Sequence, residues 1–210
     1  MEHTNKIRRL HLEACAKELR NHHIKTDVFE TMEEVKAFLN EQIEDGAHVG
    51  DGGSMTLKYS GIIDMLNQRD IDYITHNQVL DRETAEAKNR RIFSADYFLT
   101  SANAITMNGE IINVDGHGNR VAAMIFGPKK VFIVAGYNKI VKDEEAAKTR
   151  IQTIAAPINC VRLNRNTPCV IKGSCQDCRS NERICAAYVK INFDREDRLH
   201  VLLVNEEHGY

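Results

Sequence analysis

The chain has 210 residues, 42% of them hydrophobic and 28% charged, with a formal net charge of −2. That length and balance fit one globular domain with its own core. They give no basic footprint for nucleic acid or an anionic membrane, and with tryptophan absent and aromatics at 6% there is little on which bases could stack. No apolar run reaches the roughly eighteen residues of a membrane span, and no apolar stretch follows the N-terminus, so neither a transmembrane helix nor a secretory signal is expected and the cytoplasm is the expected location.

Ile7, Leu10, Ala14 and Cys15 recur at helical spacing, which predicts a helix over residues 5–20. Thr31-Met-Glu-Glu34 reads as a capping box, with Met32, Val35, Phe38 or Leu39, and Ile43 following on one face. These two helices are expected to form an N-terminal helical layer over residues 1–46. From Ala47 the pattern becomes strand, glycine loop and helix: a short strand, then Asp51-Gly52-Gly53-Ser54, then a helix through Leu66. Residues 71–75 read as a strand, 83–92 as a helix and 96–100 as a strand. Residues 104–114 are two β-prone runs about Asn108-Gly109, a strong hairpin signal. A turn-rich stretch, 115–120, precedes an apolar strand at 130–135, a helix at 143–155 and a last strand at 199–204. Strands alternating with helices predict an α/β fold with a mainly parallel sheet flanked by helices. The α/β core would span 47–158, a cysteine-rich segment 159–190, and the terminal strand and tail 191–210.

Two polar regions stand where such a sheet would open a crevice. In the glycine loop, Gly52 and Gly53 let backbone approach a ligand and Ser54 caps a helix or bonds the ligand. The loop is neither a dinucleotide fingerprint nor a P-loop, so a plain strand-to-helix turn is the competing reading. The second region holds Ser101 and Asn103 directly after a strand, with Asp115, Asn119 and Arg120 near the hairpin. Arg120 either grips a carboxylate or phosphate or braces the hairpin. His117, between two glycines, reads as a solvated loop residue.

Four cysteines crowd into seventeen residues as C-x5-C-x2-C-x6-C: Cys169, Cys175, Cys178 and Cys185. Short loops between thiols are cheap to close around one centre. Zinc ribbons have two C-x2-C knuckles where this chain has one, and the uneven spacing suits a 4Fe-4S cluster, whose irons sit at separate corners. Structural zinc, free thiols and disulfides remain alternatives. Lys172, Arg179 and Arg183 flank the thiols and offset thiolate charge. Cys160 is either a spare ligand or a core residue, and Cys15 sits on an apolar helix face.

Residues 49–56 (VGDGGSMT), 101–106 (SANAIT), 115–121 (DGHGNRV), 126–130 (FGPKK), 136–139 (GYNK) and 204–210 (VNEEHGY) together resemble the LUD-domain, or lactate-utilisation, family over about residues 5–210. The resemblance implies a fold similar to ribose-phosphate isomerases and CoA transferases. It places a ligand among Gly52, Gly53, Ser54, Ser101, Asn103, Asp115, Asn119, Arg120 and Lys139, with Arg120 and Lys139 holding its carboxylate or phosphate. It implies a small anionic metabolite and iron–sulfur redox partner proteins; charge and composition already argue against nucleic acid and membrane, and a homodimer is the default expectation for a compact metabolic protein. No glutamate matches the CoA-transferase nucleophile. The cysteine segment resembles that of short stand-alone members and departs from the ferredoxin-like runs of larger ones. The leading expectation is a redox or small-acid-metabolising protein with a 4Fe-4S cluster beside an anion site. Its rivals are a non-catalytic metabolite-binding or regulatory protein with structural zinc, and a sugar-phosphate isomerase or acyl-CoA transferase.

Overall fold

The structure is a computed structural model that describes residues 2–75 and 82–210. Its centre is a six-stranded parallel sheet. The strands are β1 (Lys25–Phe29), β2 (His48–Asp51), β3 (Asp72–Ile74), β4 (Tyr97–Thr100), β7 (Lys130–Gly136) and β10 (Leu199–Val204), in the order β1-β10-β7-β4-β2-β3. β7 and β10 lie mid-sheet because their side chains are apolar in both directions, as burial on two faces demands. Their alternation divides the core. Val131, Ile133, Val201 and Leu203 pack with Leu12, Cys15 and Leu19 of α1 (Glu2–Asn21). Phe132, Val134, Leu202 and Val204 face Val35 and Leu39 of α2 (Met32–Gln42), together with Leu57 of α3 (Met55–Tyr59) and Leu66 of α4 (Ile62–Asn67).

The two N-terminal helices therefore do not form one layer. They lie on opposite faces of the sheet, joined by edge strand β1, which the polar sequence Lys-Thr-Asp-Val-Phe conceals. Thr31 caps α2 as expected, its hydroxyl accepting from the Glu34 N–H, but the Glu34 carboxylate reaches back to the Glu30 N–H instead of closing the box on Thr31. The helix expected through Leu66 is two helices, broken at Gly61, whose φ of +77° favours glycine.

The hairpin β5 (Ala104–Thr106) and β6 (Ile111–Asp115) belongs to a second sheet. It is flanked by β8 (Ile140–Val141) and by β9 (Ala187–Ile191), neither expected from sequence, in the order β8-β5-β6-β9. α5 (Arg82–Ile92) follows the stretch left undescribed, and α6 (Asn119–Ile125) replaces part of the turn-rich segment. α7 (Glu144–Arg150), capped by Asp143, runs through a π-turn (Ile151–Ala155) into α8 (Ala156–Arg162). The wider turn immediately precedes Pro157, whose ring crowds the carbonyl one turn back and which has no N–H to offer it. Ala147, Ile151 and Ala156 of this long helix pack on Ala104, Ile112 and Val114 of the second sheet. α9 (Pro168–Lys172) opens the cysteine segment. Among the described residues no helix is long and apolar enough to cross a membrane.

Candidate functional site

β2, β4 and β7 end at Asp51, Thr100 and Gly136, and beyond these carboxyl ends lies a cleft of about 530 Å³. Crevices at this edge are where parallel α/β sheets bind ligands. All nine sequence-predicted residues, Gly52, Gly53, Ser54, Ser101, Asn103, Asp115, Asn119, Arg120 and Lys139, line it.

The glycine loop is held from below. Asp51 is fully buried; its Oδ1 accepts from the Gly53 N–H at 2.7 Å and its Oδ2 from the Tyr73 hydroxyl at 2.8 Å. Burial and the Asp51 carboxylate push the Tyr73 hydroxyl far above the ordinary tyrosine range, so it stays a donor. Gly52 is required for close approach: a Cβ there would stand 2.8 Å from Arg120 Cγ and 3.0 Å from Thr100 Oγ1. Ser54 caps α3, its Oγ accepting from the Leu57 N–H.

The expectation that Arg120 and Lys139 grip an anion is corrected by their partners. Arg120 Nη1 donates to the Ser101 carbonyl (3.2 Å) and Asn113 Oδ1 (3.0 Å). Its Nη2 donates to Asn103 Oδ1 (3.2 Å) and the Val114 carbonyl (2.9 Å), and Nε stands 3.6 Å from Asp115 Oδ1. A guanidinium has five N–H donors, and all five are directed at protein acceptors. Arg120 therefore joins the β4 exit to β6 and braces the floor. Asn103 adds a second tie, its Oδ1 accepting from the Val114 N–H at 2.8 Å. Lys139, 3% exposed, is surrounded by Thr56 Oγ1, Ser101 Oγ and the Ala102 carbonyl at 2.8, 2.9 and 3.1 Å. Burial first, then the charges of Arg150 and Arg120, hold its amine well below the ordinary lysine range.

Two cations not singled out from sequence, Arg162 and Arg165, also line the cleft. Arg162 Nε donates to Asn159 Oδ1, which also accepts from the Tyr210 hydroxyl at 3.1 Å. Arg165 Nε is buried without a hydrogen-bond partner. That nitrogen is shut off from solvent, so what Arg165 can offer a ligand in the cleft is the rest of its guanidinium. No local motif distinguishes Arg165; only the fold of α8 and the following loop turns it inward. Tyr210 of the C-terminal tail also lines the cleft, and the preceding Gly209 packs so closely that a Cβ would meet Thr56 Oγ1 at 2.5 Å. His117 lines the same cleft as an exposed loop residue.

A smaller apolar cavity of about 20 Å³ adjoins this cleft. Cys169, Cys175, Cys178 and Cys185 line it, and Cys160 of α8 joins them as a fifth thiol. None is in a disulfide. Burial pushes the Cys185 thiol up to about 11, with neighbouring Cys160 and Cys175 adding to the effect, and burial raises Cys160 as well. Arg183 clamps the segment, donating to the carbonyls of Cys178 and Cys185 and pairing with Asp177 at 3.2 Å. Among the described residues no three histidine, cysteine, aspartate or glutamate side chains converge as ligands of a single ion. Thiol sulfurs are the ligands that both zinc and iron–sulfur clusters take, so the donor set fits either group. Ala156, Arg183 and Ile184 line both cavities, so the thiol pocket and the cleft share a wall. Cys15 lies apart in the core, its thiol pushed up to about 12 by burial and by Glu18.

Comparison with known proteins places this architecture. A crystal structure of a DUF162 family protein from Deinococcus radiodurans matches with a TM-score of 0.55 at 13% identity, over 94% of this chain and 98% of that one. Ribose 5-phosphate isomerase from Plasmodium falciparum matches with a TM-score of 0.32 at 12% identity, over 53% of this chain and 52% of that chain. No curated protein matches. The model of the LUD domain family matches residues 12–204, and the chain belongs to that family.

Proposed function

We propose that this protein binds a small anionic metabolite, a carboxylate or phosphate, in the cleft and holds a 4Fe-4S cluster on the adjoining thiols, acting as a redox or small-acid-metabolising protein of the lactate-utilisation type. The observation that supports this reading is the wall that cleft and thiol pocket share at Ala156, Arg183 and Ile184. A group bound by those thiols would lie next to a ligand in the cleft.

Cys169, Cys175, Cys178 and Cys185 would hold the cluster, which supplies one-electron transfer when bound. Cys160 lines the same pocket and could serve as a substitute ligand. Arg165 and Arg162, which both line the cleft, would meet the anionic end of the ligand with their guanidinium groups. Arg120 and Lys139 would shape the floor. Calorimetric titration with lactate, pyruvate and inorganic phosphate tests the anion site. Arg165→Met should weaken binding of the preferred anion by about tenfold or more, as loss of a charge-assisted bond implies. Unchanged affinity would contradict the assignment.

A second reading, a non-catalytic metabolite-binding protein with structural zinc, is favoured by one observation. The pocket's 20 Å³ has the scale of a single water-sized occupant. Cys175→Ser separates the two: under the redox reading it abolishes electron transfer, and under the zinc reading it lowers stability while ligand affinity survives.

A further inference from the structure

Lys139 has three oxygen partners and none is charged. Thr56 Oγ1 donates its own proton to the His208 carbonyl, so towards the lysine it accepts. The Ala102 carbonyl can only accept. The Ser101 hydroxyl proton has two acceptors in reach, the Ala102 carbonyl at 3.5 Å and Nζ at 2.9 Å, so the contact with Nζ is either a third N–H donated by an ammonium or a serine O–H donated to an amine lone pair. The charges decide between them. Arg150 on α7 and Arg120 on α6 are the charged groups acting on Nζ, both positive, and Asp115 pairs with Arg120. A buried ammonium facing two guanidiniums and no carboxylate is disfavoured, and Lys139 is held well below its ordinary range. As a neutral amine it has two N–H donors for Thr56 and Ala102 and a lone pair for the Ser101 proton.

We propose that Ser101 and Lys139 are a nucleophile–base pair that attacks an activated carboxyl group, an ester or thioester of a small acid, bound in the cleft. Both side chains line that cleft, Ser101 directly after β4 and Lys139 directly after β7. Ser101 Oγ forms a bond to the carbonyl carbon while its proton passes to Lys139 Nζ. The C–O or C–S bond to the leaving group breaks, and the leaving alcohol or thiol takes that proton. Water then attacks the acyl-Ser101 ester, again giving a proton to Nζ. The acid departs and Ser101 is regenerated, with no net oxidation or reduction. The proposal rests on the cleft being the ligand site and names the substrate class for its small-acid reading.

A fluorophosphonate probe followed by intact-protein mass and peptide mapping tests it. Wild-type protein should gain one adduct at Ser101, and Ser101→Ala should lose it. The labelling rate should fall on acidification through a single titration that lies below the ordinary lysine value of 10.5. Lys139→Met, which keeps the volume and removes the base, should slow labelling at least about 100-fold. Should that variant not fold, Lys139 is read in the wild type by its side-chain nuclear resonance, which should be that of a neutral amine at about pH 7. An unlabelled Ser101, a labelling rate unchanged in Lys139→Met, or an ammonium at neutral pH overturns the proposal. Anion titration is scored separately: labelled Ser101 without anion binding sinks only the Arg165 assignment, and the reverse sinks only the pair.

Discussion

Arg120 shows how a residue's place in a site can be read without its role. It follows a turn-rich segment after a strand, so sequence puts it at the crevice, and it is there. Whether it grips a ligand or braces the walls depends on which acceptors surround it, and these come from β4, β6 and the loops between. The role of Arg120 is therefore structural. Arg120→Met should cost about 3 kcal/mol of stability, because it removes four hydrogen bonds and leaves the half-buried Asp115 without its cation; denaturant unfolding measures it. Gly52→Ala acts on the same floor from the other side. Its Cβ would press on Arg120 Cγ at 2.8 Å, so a loss of about 1–3 kcal/mol is expected, together with weaker anion binding as the floor shifts. A Gly52→Ala variant with wild-type unfolding midpoint and affinity would contradict the close approach. Arg165 carries no such sequence signal, because an unpaired Nε is a property of the folded loop alone.

At the scale of elements, apolar patterning located the strands buried on both faces, β4, β7 and β10, and the edge strand β3, and missed the edges β1, β8 and β9. β1 and β9 have alternating or mostly half-exposed residues, and their pairing partners supply the order their own composition does not. The π-turn before Pro157 was also beyond reach, since an ordinary helix end at Ala155 fits the same residues. β10 carries a polar residue in an otherwise apolar run. His200 is 3% exposed, its Nε2 2.7 Å from Asp27 Oδ2 on β1 and its ring against Phe38 and Phe132. Burial lowers its affinity for a proton despite Asp27. The unfolded chain, with an ordinary value of 6.5, then binds more protons than the native one, so stability rises with pH through this window and is lost as pH falls below 6.5. Urea unfolding at about pH 7.5 and about pH 5.5 should show that loss in the wild type. His200→Phe should show less of it, since Asp27 is exposed enough to hydrate; an equal loss in both would assign the acid sensitivity elsewhere.

At the scale of the molecule, the parallel sheet opens the cleft at its carboxyl edge, and the second sheet and long helix bring the cysteine segment against it. The four clustered cysteines were legible from spacing alone. That Cys160, nine positions upstream of Cys169, enters the same pocket follows from α8 and α9 packing together, which no local pattern records. Gly209 packs on Thr56 and so seats Tyr210 in the cleft wall, and Gly209→Ala should loosen it. A Cβ there meets Thr56 Oγ1 at 2.5 Å, and φ is +65°, so thermal unfolding should shift down by the equivalent of about 1–3 kcal/mol.

The central claim is that the thiol pocket beside the cleft holds an iron–sulfur cluster. Metal analysis with an absorption spectrum, on protein purified without air, tests it most directly. The account predicts about four irons per chain with a broad visible absorption band, both lost in Cys175→Ser. One zinc per chain and no colour, or no bound metal at all, would contradict it.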